Sequence, residues 1–216
     1  NMSKTITLSN HKGGVGKTTS VINIGAGLVS LGKKVLLVDL DPQANLSQSL
    51  GYRDQELTIY GALKGEQEVK PIEVLPGLEL VPSTLDLAGA EIELSAEAGR
   101  EFILKELLEP LRSSYDYIII DSPPSLGLLT INAFTASNEV LIPLQSQYLA
   151  LQGLTVLQGV IEKIQKRLNK GLKLGGVFIT QYDKRKVLHR EVLQTIQGHL
   201  KGLLLKTIIR DNIALA

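Results

Sequence analysis

The sequence predicts an α/β fold, a doubly wound and mostly parallel sheet flanked by helices. Three observations lead there. Short apolar runs and amphipathic stretches alternate through all 216 residues, the pattern of strand–helix–strand units whose crossovers cover both faces of a sheet. Two of the runs, KVLLVD (34–39) and YDYIIID (115–121), are apolar almost throughout and close on a carboxylate, as buried parallel strands do where their C-terminal ends open on a ligand crevice. Aromatic residues make up only 4% of the chain while aliphatic residues dominate, which suits covered parallel strands better than a β-sandwich. The length fits one such domain, expected over 2–216. Asn1, ahead of Met2, is set aside as a residue left by expression.

The first element is a β-rich run, Thr5, Ile6, Thr7 and Leu8, which breaks into a glycine-dense turn within KTITLSNHKGGVGKTT (4–19). Gly13, Gly14 and Gly16 lack a Cβ, so the backbone can turn left-handed and aim several N–H groups at one anion. A helix starting near Lys17 adds its positive end to the same point. Lys17 brings a mobile cation for the outer phosphates, and Thr18 a hydroxyl suited to Mg²⁺. The general pattern G-x-x-x-x-G-K-[ST] would require glycine where His11 stands. Instead, Lys12-Gly13-Gly14-Val15-Gly16-Lys17-Thr18-Thr19 resembles the deviant Walker A motif, KGGxxGK[ST], of the P-loop NTPases. That resemblance implies a nucleotide-binding segment over Lys12, Gly13, Gly14, Val15, Gly16, Lys17, Thr18 and Thr19, in which Lys12 reaches the nucleotide of a partner subunit. The alternative is a glycine-rich turn that binds nothing.

A helix follows over about 18–31, with Val21, Ile22, Ile24, Leu28, Val29 and Leu31 apolar and Gly25 and Gly27 permitting close packing on the sheet; Gly32 ends it. The strand 34–39 then delivers Asp39 and, two residues on, Asp41, placed to touch Mg²⁺ or an attacking water; both could instead cap the turn before Pro42. VDLDPQANLSQSLG (38–51) is similar to the A′ motif of ParA and Soj partition ATPases, which implies that Asp41 orients the hydrolytic water and that Asp39 stands near the metal. A short helix is expected over 58–64, a surface excursion over 64–77, a strand over 78–81 and an N-cap at Ser83. PSTLDLAGAEIEL (82–94) resembles the helix that follows in ParA-type proteins. An amphipathic helix is expected over 100–111, with Phe102, Ile103, Leu107, Leu108 and Leu111 on its apolar side.

The strand 115–121 ends on Asp121 in a Walker B arrangement, a carboxylate for a Mg²⁺-bound water. SPPSLG (122–127) resembles the family's switch II, which implies that Pro123 and Pro124 sense the γ-phosphate; D-S-P-P is also a simple strand-to-helix turn. Then come a helix over about 126–135, the strand EVLIP (139–143), a long helix over 148–168 that buries Leu151, Leu154, Val156, Leu157, Ile161 and Ile164, the strand GVFIT (176–180), a helix over 187–200 and a last strand over 203–209.

Net charge is +1, so no global positive field points to nucleic acid and any DNA surface must be local. The far end of the long helix carries Lys163, Lys166, Arg167, Lys170 and Lys173, cations that complement the helix dipole as readily as they would meet DNA. QYDKR (181–185) lies where the family's base-contacting loop is found, which implies nucleotide contacts for Gln181 and Asp183. Lys184, Arg185, Lys186 and Arg190, with Arg210, are the candidate contacts to non-specific DNA by the same resemblance; a solvated charge run is the other reading. TIIRDNIALA (207–216) departs from the family's ending: Arg210 replaces a proline, and Asp211 and Ala214 replace arginines. Relatives continue through a final helix, so an incomplete C-terminus is expected.

With no cysteine, disulfides, thiolate zinc and cysteine-held iron–sulfur clusters are excluded, and with them a resemblance to cluster-bearing reductases. His11, His189 and His199 lack metal spacing. No apolar run is long enough for a membrane span, and a cytoplasmic, nucleoid-associated protein is expected. The resemblance covers essentially the whole chain and implies an ATP- and Mg²⁺-dependent ATPase that dimerises with ATP, binds DNA in that state and is released by hydrolysis stimulated by a centromere-binding, ParB-like partner. A MinD-like switch acting at a membrane or on another cargo, and a scaffold that binds nucleotide without hydrolysis, are the alternatives.

Overall fold

The computed structural model describes residues 3–147, 149–200 and 202–211. Eight strands form one sheet: β1 (Lys4–Leu8), β2 (Val35–Asp39), β3 (Ile72–Leu75), β4 (Leu78–Val81), β5 (Tyr117–Asp121), β6 (Glu139–Gln145), β7 (Lys173–Tyr182) and β8 (Leu204–Arg210). Their order across the sheet is β3-β4-β2-β5-β1-β6-β7-β8, with every neighbouring pair parallel except β3 against β4. The helices are α1 (Lys17–Ser30), α2 (Asn45–Ser49), α3 (Ile59–Leu63), α4 (Leu87–Glu93), α5 (Ile103–Leu108), α6 (Leu128–Ala136), α7 (Ala150–Arg167) and α8 (Val187–His199).

Alternation along the central strands divides the core between the two faces. Leu36 and Val38 join Ile118, Ile120 and residues of α3 to α7 on one face, while Val35 and Leu37 join Ile119, Val21 and Leu46 on the other. Gly25 explains how closely α1 lies on the sheet: a Cβ there would stand 2.9 Å from Leu37 Cδ2 and 3.3 Å from Leu78 Cδ1. Gly27 faces open space, contrary to its expected packing role.

Other corrections concern short or half-exposed elements. The stretch expected to be a surface excursion contains β3, an antiparallel edge strand that turns through Pro76 and Gly77 into β4. Helix α2 was not anticipated. The helix expected over 100–111 contracts to α5 and a 3₁₀ turn at Glu109–Leu111. Val156, expected on the buried side of α7, is 54% exposed, and Gly153 takes the buried position nearby. Ser83 caps no helix; α4 begins after Asp86 without a side-chain cap. The expectations on Tyr148 and on 212–216, Ala214 included, lie outside the described residues.

The sheet register sets the site. Leu8, Asp39 and Asp121 end three adjacent strands at the same level, Asp121 pairing with Leu8 on one side and Asp39 on the other. A crevice outside the carboxyl ends of parallel strands follows.

Candidate nucleotide and metal site

The loop between β1 and α1 is fastened by its carbonyl oxygens. Gln181 and Gln145 donate from Nε2 to Gly14 O at 2.9 and 3.1 Å, and Thr180 Oγ1 donates to Val15 O at 2.7 Å. Gln145 Nε2 also meets Gln181 Oε1. Asn10 ties the loop's start, with its Nδ2 on Pro143 O and its Oδ1 accepting the Lys12 N–H. Among the described residues no backbone carbonyl accepts from the amides of Gly13, Gly14, Val15 or Gly16. Gly14 and Gly16 have φ of 71° and 84°, the left-handed region that turns successive N–H groups to one side. Gly16 is the N-cap of α1, whose first-turn amides have no intrahelical partner. The loop therefore presents donors to a cleft of about 440 Å³ lined by Lys17, Thr18, Asp41, Gln43, Pro124 and Gln181 among others.

Lys17 is buried, and its Nζ lies 3.5 Å from Lys12 O. Burial lowers its pKa, against the attraction of Asp121 and Asp41, which raises it. Thr18 Oγ1 donates to Asp121 Oδ2 at 2.6 Å. Asp121 is 1% exposed and its pKa is pushed up to about 7, first by burial and then by the neighbouring Asp39 and Asp41, while Thr18 and Lys17 oppose the rise. Its second oxygen, Oδ1, is buried without a hydrogen-bond partner. A buried carboxylate with a free oxygen, a hydroxyl beside it and an excess of negative charge fits a hard divalent cation. No group of three His, Asp or Glu side chains among the described residues could hold a metal ion, so such an ion would take few protein oxygens. Mg²⁺ binds this way, through one or two side chains, water and substrate phosphates. Thr18 and Asp121 are the residues that would hold it.

Asp39, expected near the metal, has both oxygens engaged by the protein. Oδ1 accepts the Asp41 N–H at 3.2 Å, and Oδ2 accepts Ser47 N at 2.8 Å and Ser47 Oγ at 2.7 Å. Burial raises its pKa to about 6, with the Ser47 bonds opposing. Ser47 Oγ in turn accepts the Ser83 N–H, and Ser83 Oγ donates to Asp41 O. This buried Asp39–Ser47–Ser83 network carries Asp41, whose Oδ1 accepts the Gln43 N–H at 2.9 Å and which faces the cleft. Sequence reading missed Gln145, Ser47 and the bonding role of Ser83, because their contacts span from 8 to 131 positions and leave no local pattern.

Lys12 is exposed and directs its Nζ to Gln147 Oε1 on the far side of the loop. It does not line the cleft that holds Lys17. Pro123 and Pro124 border a second hollow of about 310 Å³ shared with Asp41. Asp183 is outside the cleft lining: Arg185 engages its carboxylate through Nε at 3.0 Å and through the backbone and Nη2 at 2.9 Å, which holds its pKa well below the usual range. Lys184, Arg185, Lys186 and Arg190 are exposed on the turn after β7 and the start of α8. Arg210, paired with Tyr182 in register, comes to the same corner. Asp211 lies beside them and its charge acts on Arg185. The cations at the end of α7 lie toward the opposite end of β7, where that strand begins.

Residues 3–174 match the family described as an AAA domain. The chain is 46% identical to the sporulation initiation inhibitor protein Soj of Bacillus subtilis, across 100% of this chain and 87% of that protein. It is 45% identical to the chromosome-partitioning ATPase Soj of Treponema pallidum, across 100% and 86%. Among solved structures, a cobyrinic acid a,c-diamide synthase from Mycobacterium smegmatis with bound ADP and magnesium superposes with a TM-score of 0.92 at 40% identity, over 98% of this chain and 87% of that one. A protein from Borrelia burgdorferi bound to AMPPNP superposes with a TM-score of 0.85 at 32% identity, over 99% and 87%.

Proposed function

The chain belongs to the Soj/ParA family of partitioning ATPases, and from that premise we propose that it is an ATP-dependent dimerising switch acting on DNA in the cytoplasm. ATP binds in the cleft over Gly13 to Thr19, as the ADP, magnesium and AMPPNP of the related structures suggest. Thr18 and Asp121 would hold Mg²⁺, which would supply charge neutralisation at the phosphates. Lys17 contacts the outer phosphates from within the subunit, and Asp41 orients the attacking water. Lys12 completes the partner's site. The observation that carries this reading is the divergence of the two lysines: Lys17 Nζ is buried in its own cleft, whereas Lys12 Nζ leaves it for Gln147.

ATP therefore favours two subunits face to face, and that dimer binds DNA without sequence preference through Lys184, Arg185, Lys186, Arg190 and Arg210. Hydrolysis, slow alone and stimulated by a ParB-like centromere-binding protein, returns the monomer. The experiment is light scattering with ATP and with ADP, in parallel on the unaltered chain and Lys12→Ala. The expected result is an ATP-dependent dimer only for the unaltered chain, with ATP binding retained by both. A Lys12→Ala protein that dimerises normally overturns the cross-subunit role. The likeness to a diamide synthase favours a second reading, ATP-dependent activation of a carboxylate at the same site. Phosphate release with no carboxylate acceptor present separates the two.

A further inference from the structure

The Pro123–Ser125 segment hangs between two anchorages. Before it, Ser122 Oγ donates to Leu8 O at 3.0 Å. After it, Thr130 Oγ1 donates back to Ser125 O at 2.6 Å, and Glu91 reaches across from α4 so that its Oε1 accepts the Leu129 N–H at 3.2 Å. The Leu129 amide belongs to the first turn of α6, where an acceptor supplied by a side chain fixes the helix start. No residue of α6 itself provides that cap.

Gly127, the N-cap position, makes the contact possible. A Cβ there would lie 2.2 Å from Glu91 Oε1 and 2.7 Å from Glu91 Oε2. Its φ of −85° and ψ of −162° are open to any residue, so the glycine leaves room for the carboxylate and the backbone shape does not require it. Glu91 also borders the hollow that Asp41, Pro123 and Pro124 share. One carboxylate thus joins α4, the start of α6 and the wall facing Asp41.

We propose that Glu91 is a positioning residue for ATP hydrolysis, capping α6 from α4 so that the Pro123–Ser125 segment is held at the phosphate end of the cleft. The inference rests on the ATPase reading given above. Its role is indirect: through the Leu129 N–H it acts on the segment it anchors. Glu91→Ala removes the acceptor. Gly127→Ala keeps the carboxylate but evicts it, and Glu91→Gln keeps an acceptor oxygen without the charge.

Phosphate release with ATP and Mg²⁺, binding of a fluorescent ATP analogue, and amide hydrogen exchange at Leu129 are measured on the full chain and these three variants. Glu91→Ala and Gly127→Ala are expected to lower kcat by about five- to tenfold, the scale of a lost helix cap, with KM within about twofold. Exchange at Leu129 speeds up in both, and Glu91→Gln returns kcat to within about twofold of the unaltered chain. Unchanged kcat in Glu91→Ala and Gly127→Ala, or a loss in Glu91→Gln as large as in Glu91→Ala, overturns the proposal while the ATPase reading stands. No phosphate release from the unaltered chain overturns that reading, and this proposal with it.

Discussion

Replacing Asp121 by Asn should stabilise the nucleotide-free, metal-free protein at pH 8 and at the same time abolish the proposed Mg²⁺-dependent nucleotide binding. In the folded chain burial raises the Asp121 pKa from 3.8 to about 7, so the folded state holds a proton that the unfolded state has lost. Stability contributed by that proton is complete below about pH 4 and disappears as pH rises through about 7; the change is about 4 kcal/mol. The amide introduced by Asp121→Asn has no such dependence. It can accept from Thr18 through its oxygen, but its NH₂ then occupies the place of Oδ1, which has no partner, at a cost of about 1 to 3 kcal/mol. The variant is therefore expected to be about 2 kcal/mol more stable than the parent at pH 8 and slightly less stable at pH 5. Urea unfolding at pH 5, 6.5 and 8 in chelator measures the difference, and titration of a fluorescent ATP analogue with and without Mg²⁺ measures the loss. A stability difference that stays flat from pH 5 to pH 8 would falsify the assignment of a strained buried carboxylate to this position.

Asp41→Asn retains an acceptor for the Gln43 N–H but loses the charge proposed to orient water. Phosphate release should fall by about 10² to 10⁴ with ATP-analogue affinity little changed, and turnover near the parent's would remove Asp41 from the mechanism. Gly25→Val places methyl groups where a Cβ alone already stands 2.9 Å from Leu37, and denaturant unfolding should report a loss of about 1 to 3 kcal/mol. Neutralising Lys184, Lys186 and Arg190 together should reduce the slope of log affinity for duplex DNA against log salt by about 2.7. An unaltered slope places the DNA surface elsewhere.

The glycine-rich loop after β1 was legible because its pattern is local: three glycines, two lysines and a hydroxyl within the seven positions 12–18, flanked by the strand and helix that orient them. The central strands were legible because β2 and β5 are covered on both faces and their runs are apolar almost throughout. Strand β3 escaped notice because it lies at an edge, with Glu73 and Leu75 outward and partners supplied by β4 alone. Val156 was misplaced since an apolar residue one position from Leu157 on a helix faces another way. Ser83 has the composition of a cap, but its partner is Asp41, 42 positions back and brought near by the parallel pairing of β2 with β4. Which of two nearby carboxylates faces the cleft was likewise undecided in the sequence; the fold answers through Ser47, which occupies Asp39 from α2.

That arrangement at Asp39 bears on how loss-of-function data would be interpreted. Truncating this side chain unties two amides and a hydroxyl at once, and the strand-end turn that carries Asp41 loses its peg. A dead enzyme would result whether or not the carboxylate ever meets nucleotide or ion. An inactive substitution at position 39 is thus a statement about scaffolding, and only a companion melting curve can turn it into one about reaction chemistry.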